Sequence, residues 1–145
     1  MNHSPAYILA NYLIGEGLLQ DPSESGGWPV YVGQLPDGPE APDDAAVSID
    51  TTPVKDGRVM GGAALFHYGV QLLLRSEGYN EGYAKAVDVA GALDGVDDDL
   101  VVLGANTYKL VNVSQATGVV ALGQEKGTKR RWMFSMNFLA TLQEE

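Results

Sequence analysis

The sequence predicts an α+β domain of two layers, a mainly antiparallel sheet of about five or six strands with two helices on one face. Three observations predict it. Ile8, Leu9, Tyr12 and Leu13 recur at helical spacing and define one apolar face. Ala84, Val87 and Ala90, with Leu93 beyond, form a second helical stripe whose small alanines allow close packing on a sheet. Two long segments alternate instead: Phe66, Tyr68, Val70, Leu72 and Leu74 share one strand face, and Trp132, Phe134, Met136 and Phe138 share another.

The elements follow in order. Ser4-Pro5 opens the first helix, with Ser as the cap and Pro at the first helical position, and Asp21-Pro22 ends it. Trp28, Val30 and Val32 alternate, predicting a short strand at 28–34 that Pro29 assigns to a sheet edge. Residues 35–44, LPDGPEAPDD, read as a solvated loop because prolines and acids leave no ladder to join. Val47, Ile49 and Thr51 predict a second strand. Asp56-Gly57 predicts a type I′ hairpin turn, projecting from the domain, with Gly61-Gly62 a bend or a mobile tip. The long strand through Phe66–Leu74 follows, then a helix over about 80–93 capped by Asn80. Strands are expected at 100–104 and 107–114, a loop at 116–127, and a last long strand from Trp132.

At 145 residues the chain is expected to form a single domain over 1–145. The absence of cysteine excludes a disulfide framework, a thiol nucleophile and a thiolate zinc site. Only His3 and His67 are present, too few for a histidine-rich metal centre. Nineteen acids stand against nine Lys and Arg, a net charge of −10 that repels nucleic-acid phosphates and anionic membranes. The opening residues lack the basic segment and unbroken apolar core of a signal peptide, so the cytoplasm of the cell that makes the chain is the expected address, with no membrane partner.

Catalytic residues are expected to be none, and so are cofactor-binding and metal-binding residues. The chain has no nucleophile elbow and no P-loop, and Gly15-Glu16-Gly17 opens no βαβ unit. Asp97-Asp98-Asp99 lacks the spaced ligands of a calcium loop and reads as a solvated turn. His67 shares its strand face with Gln71 and Arg75 but has no partner nucleophile in the pattern. Charge is more informative. Lys126, Lys129, Arg130 and Arg131 gather four of the nine basic residues within six positions, against acids concentrated in Asp37–Asp44 and Asp94–Asp99. The expectation is an interface formed by this cluster, by Asp43 and Asp44, and by the hairpin residues Val54, Lys55, Asp56, Gly57, Arg58, Val59 and Met60. For the basic cluster the occupant is an acidic partner, such as the acidic side of an identical neighbour, with nucleic acid a weaker choice; for the apolar hairpin it is a neighbouring subunit.

Three segments carry a resemblance. SPAYILANYLIGEGL followed by WPVYVGQLPDGPEAPDDAAVSIDTT gives helix, strand, proline-rich loop and a strand ending in threonine. VQLLLRSEGYNEGYAKAVDVAGAL gives a strand-Arg-Tyr-helix unit, and LGQEKGTKRRWMFSMNFLAT gives a Leu-Gly loop and a strand carrying Asn-Phe. In this order and spacing they resemble the tail terminator proteins of long non-contractile phage tails, also called minor capsid proteins. Ser76-Glu77 departs from the pattern, separating Arg75 from Gly78-Tyr79 where the family carries a tighter turn. The resemblance implies a structural protein with no reaction and no cofactor. It implies a homo-oligomeric ring, usually a hexamer, that caps the tail tube at the tail-neck junction of the virion. Its implied partners are the tail tube protein, the head-neck connector and the tape measure protein, with DNA passing through the lumen unbound. A neck stopper, a tail-tube protein and an acidic small-molecule-binding domain or enzyme stay open as alternatives.

Overall fold

In the computed structural model, residues 2–51, 54–60, 63–126 and 129–145 are described, with 54–60 and 63–66 as backbone. Ser4 caps helix α1 (Pro5–Gly15), its side chain accepting from the Tyr7 amide, as Ser-Pro predicts. Ile8, Leu9 and Leu13 are buried and Tyr12 is packed against the same core. The strands are β1 (Val30–Val32), β2 (Ala45–Asp50), β3 (Val54–Met60), β4 (Ala63–Ser76), β5 (Asp99–Leu103), β6 (Asn106–Gln124) and β7 (Trp132–Glu144), with α2 (Tyr79–Asp94) between β4 and β5.

These strands form one seven-stranded sheet in the order β1-β2-β4-β7-β6-β5, with β3 also paired to β4. All pairings are antiparallel except β1 with β2. The core lies between one sheet face and the helices. Val70, Leu72 and Leu74 of β4, Phe134, Met136 and Phe138 of β7, and Tyr108 and Leu110 of β6 are buried in one cluster with both helices. The two alternating strands therefore face as expected. The opposite face carries polar cross-strand contacts: Gln71 Nε2 donates to Ser135 Oγ at 3.1 Å, and Asn137 Nδ2 to Thr117 Oγ1 at 3.3 Å.

The sheet cannot be flat. Helix α1 packs against β1, β2, β4 and β5, strands at both ends of the order. Five strand spacings span about 24 Å in a flat sheet, more than twice the roughly 10 Å width of a helix. The sheet curls round α1, and hydrogen bonds hold it there. The Ala6 amide donates to Asp50 Oδ1 at 2.9 Å and Ser48 Oγ to the Ala6 carbonyl at 2.8 Å, both on β2. Across the curl, Asn2 Nδ2 donates to Asn106 Oδ1 at 3.2 Å, and His3 Nδ1 lies 2.8 Å from the Tyr108 hydroxyl, both on β6.

Several expectations are corrected. Residues 116–124 are strand and not loop, because β6 stays paired with β7 as far as Gln124↔Trp132, absorbing register shifts along the way. Asp56-Gly57 is not a hairpin turn. It lies inside β3, where four steps from Val54 to Arg58 face only two from His67 to Leu65, so the dipeptide is absorbed as a bulge. The pairing Met60↔Ala63 centres the hairpin further on, and Gly61-Gly62 lie outside the described residues. Nor does the whole hairpin project: β4 pairs with β7 from Leu65 onward, so only its last pairs, Val59↔Ala64 and Met60↔Ala63, run past that register.

The stripe of α2 is also rotated. Gly82, Ala86, Val89, Ala90 and Leu93 are buried, while Val87 is 45% exposed, and Gly78 rather than Asn80 is the cap. The closest approach is made by a glycine, which carries no hydropathy signal. A Cβ on Gly82 would stand 2.5 Å from Phe134 Cε2 and 2.8 Å from Ser76 Cβ. Phe134 is fully buried, so its ring has nowhere to move. Gly82→Ala should therefore cost about 1–3 kcal/mol by overpacking, despite its better helix propensity. A lowered urea midpoint checks this; a raised one would mean that α2 has room to lift from β7.

Candidate interaction surface

The loop at 35–44 is built round two buried guanidinium groups. Its prolines remove donors and leave carbonyls that no ladder satisfies. Arg75, 2% exposed at the end of β4, donates to the Pro36 carbonyl at 2.6 Å and to the Pro42 carbonyl. Arg131, 3% exposed just before β7, donates to the carbonyls of Gly38 and Ala41, both at 3.2 Å. It also pairs with Glu125 and lies 3.6 Å from Asp43 Oδ1. Burial, and then the charge of Arg131, push the Arg75 guanidinium below its ordinary value. The planar fork of arginine suits this work, since one side chain reaches several carbonyls at fixed angles.

The structure divides the predicted interface residues. Arg131 leaves the expected surface patch and becomes an internal clamp. Asp43 sits between Lys129, at 3.3 Å, and Arg131, so part of the opposite-charge pairing is closed within one chain. Asp44 is turned inward, accepting from Ser76 Oγ at 3.0 Å. Lys126, Lys129 and Arg130 stay exposed. Val54, Lys55, Asp56, Gly57, Arg58, Val59 and Met60 form β3, paired with β4 alone. The charge pattern could not reveal Arg131, because the carbonyls that draw it inward come from a loop 90 residues earlier in the contact with Ala41.

Sequence reasoning missed a second region. Among the described residues no strand pairs with the outer edge of β5. Leu100 and Val102, 60% and 65% exposed, project from it on one face. A cleft of about 330 Å³ runs beside this edge, lined by Asn11, Tyr12, Gly15 and Glu16 of the α1 end and by Asp99–Val102. Asp97-Asp98-Asp99 forms the turn into β5, with Asp98 at φ 53° and Asp99 accepting from the Tyr12 hydroxyl at 3.3 Å. Among the described residues no three His, Asp or Glu side chains converge as a metal site, and no helix is long and apolar enough to cross a membrane.

The sequence pattern of the bacteriophage tail terminator proteins matches residues 12–144. The chain belongs to that family. A chain of the virion of a native gene transfer agent particle is similar to it, with a TM-score of 0.47 and 17% identity, covering 79% of this chain and 78% of that one. No curated protein matches it in sequence. This tail terminator chain is a structural phage protein and a component of the virion.

Two outcomes are expected of the terminator chain. Arg131→Met removes the donors that hold the loop and should cost about 3 kcal/mol, the scale of a broken buried charge pair. Arg131→Lys should recover little of it, since an ammonium cannot span the Gly38 and Ala41 carbonyls together. Limited proteolysis should then cut first within 35–44; an intact loop in both variants would assign its order to Arg75 alone.

The second outcome concerns alkaline pH. Burial, a Glu16 hydrogen bond and the charge of Asp99 push the Tyr12 phenol well above its ordinary 10.0, and burial with Glu144 raises Tyr68. A raised phenol favours the protonated form in the fold. Its contribution is complete below the unfolded value and is lost as pH rises through the folded one. Stability should therefore fall above about pH 10, and Tyr12→Phe should flatten that fall. Urea midpoints across this range check it, and an unchanged slope in Tyr12→Phe would remove Tyr12 as a cause.

Proposed function

We propose that this chain is the subunit of a closed ring, usually of six copies, that caps the finished tail tube and offers the joining surface to the neck. The observation that carries this reading, beside membership of the family, is a subunit with unfinished ends. Among the described residues the outer edge of β5 is unpaired, and β6 from Asn112 to Gln124 is paired with β7 alone. Open edges on a monomer are sites for pairing with another chain. A subunit that offers two different surfaces makes heterologous contacts, which close into a ring when the rotation allows.

In this reading β3 and its hairpin meet the tail tube protein, and the opposite rim meets the head-neck connector, with the tape measure protein ending below the ring. The net charge of −10 lets DNA pass the lumen by repulsion, without specific binding. Assembly takes place in the host cytoplasm, and the ring stays at the tail-neck junction. Exposed Lys129 and Arg130, beside Asp43 of the 35–44 loop, supply part of the joining surface.

The test is a phage carrying a deletion of this gene. Electron micrographs should show tails that overrun their normal length and heads that fail to join, and added purified protein should restore both. Tails of normal length joined to heads without the protein would reject the reading.

A further inference from the structure

Helix α2 carries an exposed apolar stripe. Tyr79, Tyr83 and Val87 follow one another at every fourth position and are 42%, 46% and 45% exposed. Tyr79 and Tyr83 lean on Phe134 of β7. Beyond them α2 overhangs β6. Between the two runs a groove of about 330 Å³, lined by Tyr83, Val87, Ala90 and Gly91 from the helix and by Gly118 and Val119 from the strand. Among the described residues β6 has no neighbour but β7 from Asn112 to Gln124. An apolar roof over an edge without a partner strand is what an added strand needs. The groove is acidic at one end. Asp94 lines it, and the Asp98 amide donates to the Val111 carbonyl at 3.3 Å, which sets the Asp97–Asp99 turn beside the start of the open half.

We infer that the groove takes β3 of a neighbouring copy, laid antiparallel along the open half of β6. Topology selects this strand. Leu65 and His67 of β4 pair with both β3 and β7, so β3 lies on the side of β4 away from β7, and the β3 and β6 edges bound opposite sides of the sheet. The antiparallel pairings β3–β4, β4–β7 and β7–β6 make β3 run opposite to β6. A neighbour moved sideways without turning over therefore offers β3 to β6 antiparallel, with the helices of both copies on one face. Charge selects the same strand. The β3 sequence VKDGRVM carries two bases and one acid in a chain of net charge −10, and the antiparallel direction puts Arg58 nearer than Lys55 to the acidic end. Ring closure is also met. β3 stands level with Ala63–His67 of β4, while the open half of β6, through Thr141–Trp132 of β7, stands level with His67–Ser76. Joining them steps the neighbour along the strands by about 20 Å over the roughly 19 Å width of four strands. Strands tilted about 45° to the ring axis cancel that step, at the upper end of the tilt in closed barrels. The partner is a second copy of this chain, so the inference rests on the ring reading and names its interface. The last pairs of the hairpin stay available to the tail tube protein.

The test places a photo-crosslinker in the groove. Val87→p-benzoylphenylalanine, at an exposed position, should give covalent dimers and higher multimers when assembled tails are irradiated. Mass spectrometry of the digested dimer should join the peptide of residue 87 to residues 54–60. Tyr83→p-benzoylphenylalanine should reach the same segment. Adding Lys55→Glu/Arg58→Glu should lower the dimer yield several-fold, with circular dichroism identical to wild type. A link to any other segment, a link to the tail tube protein, or a yield indifferent to the charge reversal would overturn the pairing. Rings visible in micrographs without a cross-link from either position would reject this interface and leave the ring reading standing; tails with no ring of this protein at their ends would reject both.

Discussion

Helix α1 touches both ends of the sheet, and the rest of the architecture follows from that contact. A helix about 10 Å wide can meet β1 and β5 together only if the strands between them curl. The curl is stabilised by burial of Ile8, Leu9 and Leu13, and it is fixed in register by hydrogen bonds from residues 2–6 to β2 and β6. It brings the edges near each other without joining them. The Tyr12 hydroxyl reaches Asp99 across the gap, but among the described residues no strand pairs with the outer side of β5. A closed barrel would have no edges. This sheet stops short of closure, and its unfinished edge lies beside an acidic turn.

Charge is handled in two separate ways at the opposite end. Arg75 and Arg131 are withdrawn from solvent and used as donors for a loop that has too many acceptors. Such groups order the loop through geometry, and salt acts on them weakly because they are buried. Lys126, Lys129 and Arg130 remain in water, where each pair is worth at most about 1 kcal/mol. Their use lies in steering and orientation. The cluster that looks uniform in the sequence is therefore one structural residue and three surface ones.

Much of the fold was legible because it depends on local pattern. Ser4-Pro5 starts α1, Trp132–Phe138 alternates as β7, and Pro29 keeps β1 at an edge. The failures share a cause: each depends on a distant partner. Gly118 and Gly123 break the periodicity of 116–124, yet pairing with β7 holds that segment extended through bulges. Asp56-Gly57 has strong turn chemistry, but β4 offers a ladder that outweighs it. Gly82 sets the seating of α2 through the ring of Phe134, which a hydropathy stripe cannot register. At the candidate surface the exposed basic residues were legible from composition. The edge residues Leu100 and Val102 were not, because a short apolar strand reads the same whether its outer side is paired or open.

Electron cryomicroscopy of intact particles, with the density at the head-proximal end of the tail resolved to side chains, tests the central claim most directly. The prediction is a closed ring in which the fold docks once per subunit. An arc that does not close, or an end occupied by no copy of this chain, would contradict it.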